Sequence, residues 1–315
     1  MVDQFGRNID YLRLSVTERC TLRCAYCRAD EGICPKAAEL SGGEFVRIVR
    51  ACAELGIRKV RLTGGEPLLR KDILDITSGI AAIPGISEIT LTTNAHQLAG
   101  RAQALKQAGL DRINISLDSL DAEKFREMTG GDLALVLAGI DEAIAAGLTP
   151  VKINTVLVKG KNDDEVDDFI HLTRQKAVDV RLIELMPLGE LGQDDSLRVD
   201  NSQLIAARPY LKPLPPRTPH QPSADYTVDG YLGRVGFISP ISHRFCADCN
   251  RIRIMSDGAF RPCLGNNREI SLLDALHGSD SQLLEALRTA IAEKPAGHHF
   301  NGSFRTTRNM SRIGG

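Results

Sequence analysis

The chain of 315 residues lacks an excess of either charge: 39 lysines and arginines face 40 aspartates and glutamates, for a formal net charge of −1. That balance argues against nucleic acid as a bulk electrostatic partner, because phosphate backbones are held by a surplus of cations. The sequence also lacks any run of about 18 apolar residues, the length a helix needs to span a bilayer. Met1 to Asn8 is polar, with no hydrophobic signal region. The length suffices to bury a large core, with room for one big domain and a smaller one.

Cysteine is present, but fourth ligands are missing. Cys20, Cys24 and Cys27 fall within eight residues after an apolar strand-like run, and Cys246, Cys249 and Cys263 form a second set with two and then thirteen residues between them. Structural zinc takes four protein ligands. A [4Fe–4S] cube held by three thiolates keeps one iron open to another molecule, and two incomplete sets argue for two such clusters more than for two incomplete zinc knots. Zinc stays open for the second set, where His243, three residues before Cys246, could complete a Cys₃His site. No histidine lies near the first set. Cys52 shares a helical apolar face with Phe45, Ile48, Val49 and Leu55 and reads as core. Cys34, beside Pro35 in a polar loop, has no assigned role. Cysteines grouped as ligands, not scattered as bridges, fit a reducing cytoplasm.

Strand-like runs near 11–16, 58–63, 88–93, 112–117, 151–157 and 180–185 alternate with helical periodicity at about 43–56, 70–82, 97–109, 132–146 and 164–177. Six such repeats predict an α/β fold with a parallel sheet and right-handed crossovers. Six is too few for a closed eightfold barrel, so the expectation is an open, partial (β/α)6 TIM-type barrel over residues 1–208. Residues 209–222 carry six prolines and read as a linker. Beyond it, 223–315 is expected to form a small C-terminal domain. In it, 231–238 and 251–255 are short antiparallel strands, an Asp257-Gly258 turn makes a β-hairpin, and an amphipathic helix covers about 281–292.

Splitting each strand into its two faces gives an apolar side and an unusually polar one. Leu12, Leu14, Val16, Val60, Leu62, Leu91, Ile113, Ile115, Leu117, Val151, Ile153 and Thr155 would lie beneath packing helices. Opposite them stand Arg13, Ser15, Lys59, Arg61, Thr63, Thr92, Asn94, Asn114, Ser116, Asp118, Lys152 and Asn154. Barrel interiors are normally filled by branched apolar side chains. Leaving so many polar groups buried and unpaired would cost about 1–3 kcal/mol each, so the lumen is expected to hold water and a polar ligand. The cations Arg13, Arg61 and Lys152 suit an anion, phosphate above all, and Arg251 and Arg253 share one face of their strand and extend the set. Thr63-Gly64-Gly65-Glu66-Pro67 ends the second strand; its glycines allow close backbone approach, and Glu66 is a candidate acceptor for an ammonium group.

The cysteine set with three and then two intervening residues, followed by Gly-Gly-Glu-Pro, resembles the radical S-adenosylmethionine superfamily. The second set, Cys249-Asn250-Arg251-Ile252-Arg253, Gly236-Phe237-Ile238-Ser239-Pro240-Ile241 and Gly314-Gly315 resemble, over essentially the whole chain, its GTP-cyclising family of molybdenum cofactor biosynthesis. The resemblance implies a lyase with two [4Fe–4S] clusters, one on Cys20, Cys24 and Cys27, the other on Cys246, Cys249 and Cys263. It assigns Tyr26, Gly65, Ser116 and Met186 to S-adenosylmethionine, and Arg13, Arg61, Thr92, Lys152, Arg251 and Arg253 to GTP, with Lys59 as a weaker candidate. Arg13 would also help quench the radical formed after cyclisation. The double-glycine tail, flexible on physical grounds, would reach into the site. Partners implied are an electron donor such as flavodoxin or ferredoxin and a downstream cyclic pyranopterin monophosphate synthase, for a cytoplasmic monomer or homodimer. Arg28-Ala29 replaces the family's usual Met-Pro, and Ala95 stands where glycine is usual.

A peptide-modifying radical enzyme would also combine such a barrel with an accessory iron–sulfur domain, but those domains usually carry more cysteines. A non-enzymatic electron carrier would favour fully ligated clusters.

Overall fold

The structure, a computed structural model, describes residues 1–27, 39–300 and 304–314. Arg28, Ala29, Cys34 and Gly315 lie outside the described residues. Six strand and helix repeats run in the expected order: β1 (Tyr11–Ser15), α1 (Gly42–Glu54), β2 (Lys59–Thr63), α2 (Ile73–Ala81), β3 (Glu88–Thr93), α3 (Ala102–Gln107), β4 (Arg112–Ser116), α4 (Ala122–Thr129), α5 (Leu133–Ala145), β5 (Val151–Leu157), α6 (Val166–Gln175) and β6 (Val178–Glu184). The later elements are α7 (Asn201–Ala206), β7 (Lys212–Pro213), β8 (Ala224–Thr227), β9 (Arg234–Ile238), β10 (Arg251–Ile254), β11 (Ala259–Arg261), β12 (Ile270–Ser271), α8 (Leu273–His277), α9 (Asp280–Ala292) and α10 (Met310–Ile313).

Local chemistry sets the helix starts. A capping box of Ser41 and Glu44 opens α1, and Ser279 with Gln282 opens α9. The helix α4, absent from the periodicity reading, is started by Asp121, whose carboxylate accepts from the amides of Glu123 and Lys124. It buries only Phe125, Met128 and Thr129, too few residues to declare a period. The apolar strand face is fully buried as expected: Leu12, Leu14, Val60, Leu62, Ile113, Ile115, Val151 and Ile153 pack in one core with Phe45 and Ile48 of α1, Ile140 of α5 and Phe169 of α6.

All twelve strands join one open sheet, in the order β12-β11-β10-β1-β2-β3-β4-β5-β6-β9-β8-β7. The 234–238 and 251–254 strands are not each other's neighbours. Instead β9 runs parallel to β6 at one edge of the six-strand set, and β10 runs parallel to β1 at the other. An unpaired strand edge is a template for another strand, and these additions raise the contiguous parallel set to eight strands. The expected hairpin is present as β10 and β11, paired antiparallel around Asp257-Gly258, where Gly258 has φ +80°. The proline-rich connection does more than link, since Lys212 and Pro213 pair with Thr227 and Tyr226 at the sheet's outer edge. Among the described residues, no helix is long and apolar enough to cross a membrane.

Candidate functional site

The polar strand face encloses a cavity of about 400 Å³. Residues from both edges of the parallel set, Arg251 and Arg253 on β10 and Arg234 and Gly236 on β9, line it together, so the open sheet curls around it. Among the described residues, ten lysines and arginines line the cavity, against five aspartates and glutamates. Strand register stacks the cations in a row: Arg253 of β10 stands beside Arg13 of β1, Arg13 beside Arg61 of β2, Arg61 beside Thr90 of β3, and Thr90 beside Arg112 of β4. A second row runs Thr92, Asn114, Lys152, Asp179 and Arg234.

Arg112 pairs with Glu88, but the other cations of these rows are poorly compensated among the described residues. Burial, then Arg253 and Arg61, hold the Arg13 guanidinium well below its ordinary value. Burial, then Arg61 and Arg112, bring Arg181 to about 9. Burial, then Arg181 and Arg112, bring Lys152 to about 7. Among the described residues, the buried Nε atoms of Arg13, Arg61, Arg181 and Arg251 have no hydrogen-bond partner, nor has Nη2 of Arg251. Guanidinium groups keep their protons, so unmet repulsion and idle donors are what an oxyanion would relieve.

At one wall the loop after β1 brings Cys20, Cys24 and Cys27 to the cavity. The amides of Arg23 and Ala25 donate to the carbonyls of Thr129 and Met128 at 2.8 and 3.0 Å, which pins the loop to the end of α4. A Cβ at Gly65 would lie 2.3 Å from the Arg19 carbonyl oxygen, and one at Gly64, where φ is +141°, 2.3 Å from that of Thr17. The glycine pair therefore admits the cysteine loop. Glu66 does not line the cavity and is fully buried. Its Oε1 accepts from Leu68 N and Thr93 Oγ1 at 2.9 and 2.8 Å, and its Oε2 from Asn94 N at 2.7 Å. As the side chain stands, both oxygens of Glu66 brace the ends of β2 and β3, and the expected role as ammonium acceptor is left to a test by substitution. Asn94 continues the brace, donating to Thr21 Oγ1 at 3.0 Å.

Tyr26, Gly65, Ser116 and Met186 line the cavity beside this loop. The Tyr26 hydroxyl donates to Asp118 Oδ2 at 2.7 Å, and Val156 N to Asp118 Oδ1 at 3.0 Å. Burial lifts the Asp118 carboxyl to about 6. At the opposite wall Cys246, Cys249 and Cys263 face the same space. Burial pushes the Cys249 thiol up, but Lys294 and Arg251 outweigh it and bring the group down to about 7. His243, the expected fourth ligand of a zinc site, is exposed and does not line the cavity. Gly314 packs against two residues that line the lumen: its carbonyl accepts from Arg253 Nη1, and a Cβ on it would stand 2.7 Å from Thr63 Cγ2.

The six triad cysteines and every residue expected to contact S-adenosylmethionine or GTP, including Thr92 and Lys59, are thus brought to one cavity, while Glu66 is not. Tyr11, Arg112, Asp179, Arg181 and Lys294 line it too and were missed. The side-chain alternation that singled out Arg13 and Asn114 also marks Tyr11 and Arg112. Lys294 gave no such signal.

A family model described as the radical SAM superfamily matches residues 14–173, and one described as molybdenum cofactor synthesis C matches 178–300. A solved structure of Streptococcus suis SuiB bound to S-adenosylmethionine shares the fold with TM-score 0.61 at 16% identity, over 97% of this chain and 69% of that one. The sheet and the first cysteine triad thus define a radical S-adenosylmethionine protein. A curated Alkaliphilus oremlandii protein named GTP 3′,8-cyclase is 47% identical over 321 residues, and one of the same name from Moorella thermoacetica is 43% identical over 323, each match covering all of both chains. The chain belongs to the GTP 3′,8-cyclase family.

Membership in the superfamily implies a [4Fe–4S] cluster and S-adenosylmethionine. The first triad fits that cluster in donor chemistry. Its three thiols line one cavity, where burial, then Asp118, Cys27 and Cys20, push the Cys24 thiol well up. As the side chains stand, no three His, Cys, Asp or Glu groups among the described residues converge tightly enough to hold a single metal ion.

Proposed function

We propose that this chain converts GTP to (8S)-3′,8-cyclo-7,8-dihydroguanosine 5′-triphosphate, the first step of molybdenum cofactor biosynthesis. The observation that carries the reading is one cavity with a cysteine triad on each of two walls and a register-stacked row of cations between them. When bound, the first cluster and S-adenosylmethionine supply a 5′-deoxyadenosyl radical that takes the 3′ hydrogen of GTP.

Cys20, Cys24 and Cys27 would hold that cluster, with Tyr26, Gly65, Ser116 and Met186 shaping the space for S-adenosylmethionine. Cys246, Cys249 and Cys263 would hold a second [4Fe–4S] cluster that receives the guanine. Arg61, Thr92 and Lys152 would take the triphosphate and ribose, with Arg181 added and Lys59 at the margin, while Arg251 and Arg253 orient the nucleotide near the second triad. Arg13, between Arg61 and Arg253, is the candidate to help quench the substrate radical after ring closure. Gly314 against Arg253 supports a tail that closes this end of the site.

Residues 1–208 would serve the cofactor and 223–315 the guanine, with 209–222 joining them. A cytoplasmic monomer or homodimer, reduced by a flavodoxin or ferredoxin and passing its product to cyclic pyranopterin monophosphate synthase, completes the proposal.

The test is an anaerobic single turnover of reconstituted protein with reductant, S-adenosylmethionine and GTP deuterated at C3′. Deuterium in 5′-deoxyadenosine together with a cyclised nucleotide is the expected result. Undeuterated 5′-deoxyadenosine with intact GTP, from protein verified to hold both clusters, would sink the reading.

A further inference from the structure

Lys294 follows the end of α9, just before Pro295, where a lysine would ordinarily reach into solvent. It is instead 2% exposed. Its Nζ donates to the carbonyl of Arg251 at 2.8 Å and to that of Pro262 at 3.0 Å, and lies 3.6 Å from Cys249 Sγ. All three partners are acceptors, which matches the three donors of an ammonium group.

The placement of these partners is specific. Arg251 lies two residues after Cys249, and Pro262 immediately precedes Cys263. One ammonium therefore ties together the two chain segments that carry the second triad, which are separated by the β10–β11 hairpin. No carboxylate pairs with Lys294 among the described residues. A buried charge without a counter-charge is costly, and among the three acceptors of Lys294 the sulfur of Cys249 is the one that carries negative charge once it ligates a metal.

We propose that Lys294 is a positioning residue for the second triad: it clamps the two ligand segments together and offsets thiolate charge, so that a cluster bound there is more easily reduced. The inference rests on the reading that the triad holds a [4Fe–4S] cluster. Hydrogen bonds to sulfur and local net charge are established levers on cluster potential. A thiolate that shares its electron density with an ammonium also gives less to iron, leaving an open iron a better acceptor for a purine ring atom.

The test uses the full chain with Cys20, Cys24 and Cys27 replaced by alanine, so that any cluster reports on the second triad. Iron and acid-labile sulfide are counted, the midpoint potential is followed by electron paramagnetic resonance, and melting of the cluster-free protein is recorded by circular dichroism. Lys294→Met and Lys294→Gln should each lower the potential by at least a tenfold change in the reduction equilibrium, about 59 mV; loss of the cluster with melting preserved would equally support the clamp. An unchanged potential in either cluster-bearing variant overturns the proposal. So does loss of cooperative melting in both, which would make Lys294 a general core residue. Absence of iron and sulfide from the parent protein with Lys294 intact would instead overturn the underlying cluster reading.

Discussion

Arg13 on β1 stands in register with Arg253 on β10, and both face the lumen. Like charges directly opposite one another across a sheet are destabilising, and Arg61 presses on Arg13 from the other side. The row is tolerable because an anion can neutralise it, which couples stability to ligand. Arg13→Met should therefore raise the melting temperature of the ligand-free protein, by about 2–4 °C if about 1 kcal/mol of repulsion is relieved. It should also shrink the further rise produced by saturating GTP or inorganic tripolyphosphate. Differential scanning calorimetry with and without each anion checks both effects, and a variant that melts lower without ligand would remove the repulsion argument.

Lys152 gives the site a pH dependence with a definite sign. Burial and its cationic neighbours bring it from an ordinary 10.5 to about 7. Between those values the unfolded chain holds a proton that the native protein does not, so this group makes ligand-free stability rise with pH above about 7. Anion binding restores the proton. Affinity for triphosphate should thus weaken as pH rises from 7 to 9, by up to about tenfold per unit, with proton uptake on binding. Titration calorimetry in buffers of different ionisation enthalpy reads that uptake, and Lys152→Met should abolish it.

Ala95 adopts φ +62° in a fully buried turn after β3. A left-handed conformation costs a residue with a Cβ about 1–2 kcal/mol, which gives a physical reason for glycine being usual there. Ala95→Gly should stabilise the protein by about 1 kcal/mol, less the greater entropy of glycine in the unfolded chain. Urea denaturation of the cluster-free protein measures it; clear destabilisation would mean that the methyl's packing against Gly139 outweighs the strain.

The lumen was legible in the sequence because alternation along a strand is local: Arg13, Arg61, Asn114 and Lys152 declare their face two residues at a time. The site's far ends were not. The parallel pairing of β10 with β1 joins residues some 240 positions apart in register, Tyr11 with Arg251, and no local pattern encodes which edge a strand will find. Lys294 escaped for the opposite reason: a lysine beside a proline at a helix end looks like a solvated terminus, and only the folded cysteine segments reveal its acceptors. The bracing role of Glu66 was not legible because a glycine-rich turn at a strand end suggests a ligand, whereas here Gly64 and Gly65 approach the chain itself.

Substitution of Glu66 separates a brace from a ligand contact. If Glu66 is a brace, Glu66→Gln must turn one amide NH₂ toward groups that now donate, Asn94 N or the pair Leu68 N and Thr93 Oγ1. A buried donor left unsatisfied costs about 1–3 kcal/mol, so the cluster-free variant should unfold at lower urea by that amount. Asn94 would lose its anchor, and with it the bond to Thr21 within the cysteine loop, so iron incorporation at the first triad should also fall. If Glu66 instead accepted hydrogen bonds from the ammonium of S-adenosylmethionine, cluster-free stability and iron uptake would be unchanged and only cofactor affinity would drop. Denaturation curves and iron counts on the same preparation separate the two, because a ligand contact cannot destabilise a protein from which the ligand is absent.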